Sequence, residues 1–324
     1  KAASSELAAT GSQAMAITKG KQIASANNVA GDGLTLDSTD FVFGNTTRSI
    51  SGKWVFAANG SPTNAVQVNG RRTSLAPDGH VDLFFSGLLN GGGFETTADA
   101  TSAFINADIC LVLDRSSSMK LAVSNPATGM GGGDPRDCDV PWPDSRWMAL
   151  DSAIGLFVSE MNTTLADEQV AVVTFASDNT NCGGSNQSAT LDQPLTTNLA
   201  NVTSTMGTLS STVWGGNTET SVGMGMARAE LTGPNARDTA HKIMVVLTDG
   251  AYTNGIHPEI EAALALAEDI QVHTVTFGSC PASVIDDMQY TAIAGGGNHY
   301  HAPDAATLSN VFSEIAGSIA ILIE

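Results

Sequence analysis

The chain has 324 residues, and 42% of them are hydrophobic, so it can form one large domain and a smaller one. Asp and Glu total 33 against 14 Lys and Arg, which gives a formal net charge of −19 at pH 7. Because an acidic protein repels polyanions, nucleic acid is excluded as an expected partner. No apolar run reaches the roughly 18 residues that a membrane-spanning helix needs. The chain begins at Lys1 without Met or a signal segment, which suggests a processed or truncated protein.

The first hundred residues combine a helical pattern with short alternating segments. Residues 2–27 are alanine-rich, with apolar residues at near-helical spacing, which predicts one amphipathic helix that ends at the glycines of 31–33. Alternating apolar segments bounded by Asn, Gly and Pro then predict antiparallel strands. These predicted strands are residues 40–43, 51–56 and 65–68, and residues 96–105 could close the sheet.

From residue 107 onward, apolar strands alternate with helical segments. The predicted strands are residues 109–113, 169–175, 243–247, 272–277 and 298–301, with 189–195 as a short antiparallel edge strand. The predicted helices are residues 146–161, 198–209, 221–231, 258–269, 282–294 and 305–321. This alternation requires right-handed crossovers and predicts an α/β fold with a doubly wound, mostly parallel sheet. We therefore expect a small α+β domain over residues 1–105 and the α/β domain over residues 106–324.

Polar side chains follow two of the buried strands. Asp114, Ser116 and Ser118 alternate after the strand at 109–113, and Asp249 follows the strand at 243–247. An open α/β sheet places its ligand crevice at the carboxyl ends of its strands. Carboxylate and hydroxyl oxygens suit Mg²⁺, Mn²⁺ or Ca²⁺ and argue against zinc or copper. An isolated Asp-x-Ser-x-Ser is more often a turn, so the second carboxylate carries the interpretation.

The order of these motifs resembles the metal-ion-dependent adhesion site of von Willebrand factor A domains, from residue 107 to the end of the chain. A glycine-rich stretch at 214–224 supplies the family's threonine, which falls on Thr218, although Thr220 is a competing loop threonine. The resemblance implies that the hydroxyls contact the metal, the carboxylates act directly or through water, and a partner's carboxylate completes the shell. Mg²⁺ is the first expectation. A scaffold that has lost metal binding is the alternative. The implied ligands are Asp114, Ser116, Ser118, Thr218 and Asp249.

The first hundred residues resemble the TadE/TadG-like proteins of tight-adherence (Flp) pilus systems. The resemblance lies in Asp-Phe-Val-Phe-Gly at 40–44, Asn-Ala-Val-Gln-Val at 64–68, and Arg71-Arg72. It implies an alanine-rich helix, a small sheet and an A domain behind a membrane helix that this sequence lacks. Membrane attachment would therefore need a preceding segment. The implied location is extracytoplasmic, on the cell surface or secreted, in a bacterial envelope or pilus.

Four cysteines allow three pairings if all are bridged. Cys110 lies inside a buried strand and is expected to be an inert core thiol. Cys138, Cys182 and Cys280 lie in loops that follow strands. The preferred pair is Cys138 with Cys182, because each lies in a long polar loop that a disulfide would tie down, and such a bond implies an oxidising compartment. Whether Cys280 is bridged stays open.

A long insertion at residues 120–144 follows the first metal motif, and loops of this length tend to be functional or disordered. Trp142, in this insertion, and Trp214, in the glycine-rich loop, could form an aromatic rim for a partner. Alternatively, they only plug their loops into the sheet.

No enzymatic motif is expected. The serines lack a Gly-x-Ser-x-Gly elbow, and the glycine-rich loops lack the lysine of a phosphate-binding loop. His299 and His301 lie on a short strand, where one is expected to point inward and one outward in a structural role.

These features predict a non-enzymatic, extracytoplasmic adhesion or pilus-assembly protein. Its partner would be a protein ligand that presents a carboxylate, or other pilus subunits. The first alternative is a structural filament subunit that assembles through residues 2–27, with the metal only stabilising its loops. A second alternative is an A domain that serves an intracellular chelatase or ATPase complex, and the loop cysteines argue against it.

Overall fold

The computed structural model describes residues 1–29, 31–48, 54–61, 63–82, 93–104, 106–125, 134–163, 168–178, 187–237, 240–319 and 322–323. The chain forms two compact units. The first consists of Lys1–Ile105 with Thr164–Ala166 and Ala320–Glu324, and the second of Asn106–Thr163 and Asp167–Ile319. None of the helices in the described residues is long and apolar enough to span a membrane.

The first unit begins with two helices, α1 (Ala2–Thr10) and α2 (Gln13–Ser25), so the prediction of one continuous helix is wrong. Gly11 adopts a left-handed conformation with φ 62° and donates its N–H to Leu7, which ends α1. Ser12 then caps α2 by accepting a hydrogen bond from the Met15 N–H. A left-handed glycine commonly ends a helix and a capping serine commonly begins one, so Gly11 and Ser12 divide this segment into two helices.

An antiparallel sheet completes the first unit. A two-residue hairpin, β1 (Asn28–Val29) with β2 (Asp32–Gly33), follows α2. The strands of the main sheet are β3 (Phe41–Arg48), β4 (Trp54–Ala58), β5 (Ala65–Arg72), β6 (Thr96–Phe104) and, near the end of the chain, β13 (Leu322–Ile323). Their order in the sheet is β13-β6-β5-β3-β4. The predicted antiparallel strands are therefore confirmed where they are described; residues 51–53 and 105 lie outside the described residues.

The second unit is a six-stranded sheet with helices on both faces. Its order is β12-β11-β10-β7-β8-β9, and every neighbouring pair is parallel except the edge strand β9, which is antiparallel to β8. The strands are β7 (Ala107–Asp114), β8 (Gln169–Phe175), β9 (Ala189–Thr196), β10 (His241–Thr248), β11 (Ile270–Phe277) and β12 (Gly296–Ala302). The helices are α3 (Arg146–Met161), α4 (Ala200–Leu209), α5 (Thr220–Leu231), α6 (Pro258–Ala267), α7 (Ala282–Ala294) and α8 (Ala305–Ile319). The predicted doubly wound α/β fold is confirmed.

The central strand β7 is buried along its whole length because both faces are covered. Ile109, Leu111 and Leu113 join the core under α3, α4 and α8, whereas Cys110 and Val112 join the core under α5, α6 and α7. A strand that packs on both sides carries a continuous apolar run, which is why β7 and β10 were visible in the sequence.

Candidate functional site

The candidate site lies where β7 and β10 end side by side. In the parallel register of these strands, Leu113 pairs with Leu247, so the residues that follow emerge together at one edge of the sheet. Asp114 and Asp249 are both buried there. This edge is the crevice in which open α/β sheets hold their ligands.

Two hydrogen bonds fix the carboxylate of Asp114. Its Oδ1 accepts the backbone N–H of Ser116 at 2.7 Å, and its Oδ2 accepts the hydroxyl of Thr248 at 2.7 Å. The Ser116 bond closes the turn after β7, while the Thr248 bond joins β7 to β10. Asp114 therefore holds the two strand ends together as well as supplying negative charge.

The side-chain oxygens of Ser116, Ser118 and Asp249 form a chain of short contacts. The two serine hydroxyls are 2.9 Å apart, and the hydroxyl of Ser118 donates to Asp249 Oδ1 at 2.7 Å. Neighbouring oxygens in an octahedral shell around Mg²⁺, at 2.0–2.1 Å from the ion, lie about 3 Å apart. The observed spacings therefore fit the donor set of a hard divalent cation.

Thr218 is placed by its backbone. Its N–H donates to Thr253 Oγ1 at 3.0 Å, and its carbonyl accepts the Thr253 N–H at 2.8 Å, in the segment that follows Asp249. Two residues earlier, Gly216 exchanges hydrogen bonds with Ser117: its carbonyl accepts the Ser117 N–H, and its own N–H donates to Ser117 Oγ, both at 3.0 Å. The glycine-rich loop is thus held next to the segments that carry Ser118 and Asp249.

Gly216 must be glycine at this point of the loop. Its φ is +124°, a conformation that side chains disfavour. A Cβ there would lie 3.0 Å from the carbonyl oxygen of Ser177. Thr220, the competing threonine, already belongs to α5, so Thr218 is the threonine of the loop itself.

The site also contains a residue that the sequence did not reveal, Arg146. Its Nη1 contacts Asp249 Oδ2 at 2.5 Å, and its Nη2 donates to the carbonyl of Asn125 at 2.8 Å. The side chain of Arg146 is only 1% exposed. It is the first residue of α3, directly after the capping Ser145, and a charged residue at a core-facing helix position is the signal that could have identified it.

Burial raises the pKa of both carboxyl groups. The pKa of Asp114 is raised to about 7, chiefly by burial and then by the charge of Asp249, against the hydrogen bonds from Ser116 and Thr248. Burial also raises the pKa of Asp249, against the charge and hydrogen bond of Arg146. The metal-free site therefore has too little positive charge nearby to keep both carboxyl groups readily ionised.

Within the described residues, no three His, Cys, Asp or Glu side chains are grouped to hold a metal ion. The donors at this edge are two carboxylates and hydroxyls instead. Such a set is suited to a hard ion, which prefers oxygen, and is unsuited to an ion that needs imidazole or thiolate ligands.

Residues 134–144, one of the two described parts of the insertion, pack beside the site. Asp137 accepts the hydroxyl of Ser117 at 2.8 Å, and its carbonyl accepts Lys120 Nζ at 2.8 Å. Lys120 is fully buried, and this burial lowers the pKa of its amine to about 8. The insertion is therefore hydrogen-bonded to the segment that carries the serines.

The two tryptophans proposed for a partner-binding rim, Trp142 and Trp214, differ in burial. Trp214 is buried, with its ring 4.8 Å from that of Trp147 and its indole N–H donated to the carbonyl of Leu209. The prediction that Trp214 lines a partner-binding rim is wrong, because the ring plugs the glycine-rich loop into the core. Trp142 is half-buried and donates to Asp139 Oδ2 at 2.9 Å, so its place in a rim stays a prediction.

Among the cysteines, Cys110 is a free thiol in the core of β7, as predicted. Cys280 is also free, and its thiol donates to the carbonyls of Asp249 and Phe277 at 3.4 and 3.3 Å. Cys182 lies outside the described residues, so its pairing with Cys138 stays a prediction.

The two histidines of β12 point to the same side, which corrects the expectation of one inward and one outward ring. Residues two apart on a strand share a face. Thr276 Oγ1 lies 3.4 Å from His299 Nε2 and 2.9 Å from His301 Nδ1, and Thr274 Oγ1 lies 2.9 Å from His299 Nδ1.

Hydroxyls and carboxylates thus gather at the central strand ends of a doubly wound α/β sheet, the position at which open α/β sheets hold ligands. Comparison with known families identifies the family to which this fold belongs. Residues 108–314 match the family model described as von Willebrand factor type A domain, and the chain belongs to that family. Residues 1–102 match the model described as putative Tad-like Flp pilus-assembly, so the resemblance stated for the first hundred residues is confirmed. No curated protein matches the chain.

Solved structures with a similar fold have low sequence identity. An aerotolerance-related membrane protein from Bacteroides fragilis is 17% identical, with a TM-score of 0.47 over 66% of this chain and 100% of its own. The pilus adhesin SpaC from Lactobacillus rhamnosus is 15% identical, with a TM-score of 0.48 over 81% of this chain and 35% of its own. The mussel byssus proximal thread matrix protein 1, in a structure with a zinc-occupied MIDAS motif, is 18% identical, with a TM-score of 0.47 over 68% of this chain and 46% of its own. The family assignment rests on the matched family models and not on these structures.

Proposed function

We propose that this protein is an extracytoplasmic adhesion or pilus-assembly component that binds a protein partner through a divalent cation held at the ends of β7 and β10. The two matched families indicate adhesion or pilus assembly. The observation that carries the metal-dependent mechanism is the chain of oxygens from Ser116 through Ser118 to Asp249, at 2.9 and 2.7 Å, next to the buried Asp114.

Each side chain has a distinct task in this mechanism. Ser116, Ser118 and Thr218 would supply neutral hydroxyl oxygens, while Asp114 and Asp249 would balance the charge of the ion. The bound ion would supply positive charge that attracts a carboxylate of the partner. Mg²⁺ is the first expectation, with Mn²⁺ and Ca²⁺ as alternatives, because every proposed ligand atom is a hard oxygen.

A binding role suits the serines better than a catalytic one. Their hydroxyls bond to each other and to Asp249, and the Asp249 carboxylate is paired with Arg146, which makes it a poor base for removing a serine proton. We therefore expect no hydrolytic activity from this site.

The partner is a protein that presents a carboxylate, or another pilus subunit, in a bacterial envelope or on its surface. A bond between Cys138 and Cys182 would support that location, because disulfides persist in oxidising compartments. Of the three cysteines that the structure describes, Cys110 and Cys280 are free thiols. Cys138 is not a free thiol.

The alternative of a filament subunit has one observation in its favour. The α2 helix exposes Met15 and Ile23, which are 50% and 42% exposed. Apolar side chains on the surface of a helix can pack against another copy.

The test is a calorimetric titration of Mg²⁺, Mn²⁺ and Ca²⁺ into metal-stripped protein, with the variant Asp114→Asn alongside. Asparagine keeps the acceptor for the Ser116 N–H, so the variant should fold while losing half of the site's negative charge. The matched control is Asp286→Asn, at an exposed position on α7. Saturable binding by the wild type and the control, and its loss in Asp114→Asn, is the expected result. Equal heats in all three proteins would refute the proposed site.

A further inference from the structure

The ion pair between Arg146 and Asp249 is the feature of the site that the adhesion mechanism leaves unexplained. Both side chains are essentially buried, at 1% and 0% exposure, and the contact is 2.5 Å long. A buried guanidinium is stable only with a counter-ion, and a buried pair is strongly destabilised when one partner is removed. Asp249 therefore already balances the charge of Arg146 in the metal-free site.

The backbone around Arg146 makes room for this arrangement. Gly278, after β11, has φ +79°, and a Cβ there would lie 3.2 Å from Arg146 Nε. The carbonyl of Asn125 accepts the second guanidinium nitrogen, Nη2, at 2.8 Å. The Asn125 carbonyl thus orients the guanidinium against Asp249, and the absence of a side chain at Gly278 leaves room for it.

In this orientation, the two carboxylate oxygens of Asp249 have different partners. Oδ2 bonds to Arg146, and Oδ1 accepts the hydroxyl of Ser118 at 2.7 Å. Only Oδ1 is directed to the serine hydroxyls. Because the guanidinium offsets the charge of Asp249, Asp114 is the carboxylate of the two that does not pair with Arg146.

We propose that Arg146 is a positioning residue that couples cation binding to an acidic partner, so that each strengthens the other, an inference that rests on the proposed function. A divalent ion would leave the site with an excess positive charge, and a carboxylate from the partner would remove it. Without Arg146, the two aspartates would neutralise the ion by themselves. Cation and carboxylate therefore bind cooperatively, and by linkage each strengthens the other.

The experiment measures Mg²⁺ and Mn²⁺ affinity by calorimetry in sodium chloride and in sodium acetate of equal ionic strength, with acetate as the probe carboxylate. Wild type should bind more tightly in acetate. Arg146→Met, which keeps the bulk but removes the charge, should bind in chloride on the order of tenfold more tightly than wild type and lose the response to acetate. Arg146→Lys retains the charge and should retain the acetate response, which a purely structural role would not require.

A second neutral variant, Arg146→Gln, guards against misfolding of Arg146→Met, because its amide can still donate a hydrogen bond near Asp249 while every proposed metal ligand stays in place. Arg146→Gln should reproduce the tighter binding in chloride and the lost response to acetate. Wild-type affinity and a wild-type acetate response in Arg146→Gln would overturn the role of Arg146.

The outcomes separate this inference from the proposed function. Absence of cation binding by wild type in both salts contradicts the adhesion site itself. Binding that Asp114→Asn abolishes, but that Arg146→Met leaves unchanged in affinity and in acetate response, contradicts only the role of Arg146.

Discussion

The raised pKa of Asp114 predicts that the metal-free protein loses stability as the pH rises. This carboxyl has an ordinary pKa of 3.8 and a folded pKa of about 7. Below pH 3.8 it is protonated in both the folded and unfolded states and contributes no pH dependence. Between pH 3.8 and about 7 the folded state binds more protons than the unfolded state, so the free energy of unfolding falls across this window. Above it, the full destabilisation is present.

The size of the effect follows from the same values. Each pKa unit corresponds to about 1.4 kcal/mol, so a rise from 3.8 to about 7 amounts to about 4 kcal/mol of destabilisation at neutral pH. A bound divalent cation should remove most of it, because the positive charge stabilises the carboxylate. Asp114→Asn should remove it permanently, because asparagine does not titrate.

The assay is urea denaturation of wild type and Asp114→Asn at several pH values from 4 to 8, in chelator and in Mg²⁺. The expected result is a decline in the free energy of unfolding for metal-free wild type that is absent in the variant and is reversed by Mg²⁺. Acidic groups away from the site contribute equally to both proteins, so the difference between them reports Asp114 together with its repulsion with Asp249. Parallel curves for wild type and Asp114→Asn in chelator would refute the reasoning.

Three further predictions concern the loops and the first unit. Gly216→Ala should weaken cation binding at least tenfold, because it shifts the loop of the metal site. Gly155→Ala, in a helix with open space around it, should leave the calorimetric affinity for the cation unchanged. Equal effects of the two substitutions would count against the loop's role. If Cys138 and Cys182 form a disulfide, Cys138→Ser should lower the free energy of unfolding under oxidising conditions by about 3 kcal/mol. Peptide mass mapping that finds no Cys138–Cys182 crosslink would contradict this disulfide. Met15→Glu should abolish any concentration-dependent assembly seen by light scattering, and assembly that persists would exclude this part of α2 as the contact.

The fold was largely predictable because its central strands are buried on both faces. The apolar runs that became β7 and β10 have no polar interruptions, and their ends carry the polar residues of the site. Asp114, Ser116 and Ser118 lie within five positions of one another, so their proximity is a local property of the chain. The approach of Asp249 follows from the parallel pairing of the two strands.

What the sequence could not supply depends on tertiary packing. Arg146 lies 103 positions from Asp249, and only the placement of α3 under the strand ends brings the pair together. The burial of Trp214 depends in the same way on Trp147. The break between α1 and α2 is different, because Gly11 is visible in the sequence, but helical periodicity continues across it and masks the turn.

The cation site itself is tested most directly by anomalous diffraction from crystals grown with Mn²⁺. We expect one strong anomalous peak within bonding distance of Ser116 Oγ and Ser118 Oγ, between Asp114 and Asp249. A well-ordered structure without a peak at that position, at a Mn²⁺ concentration that saturates any calorimetric binding, would contradict it.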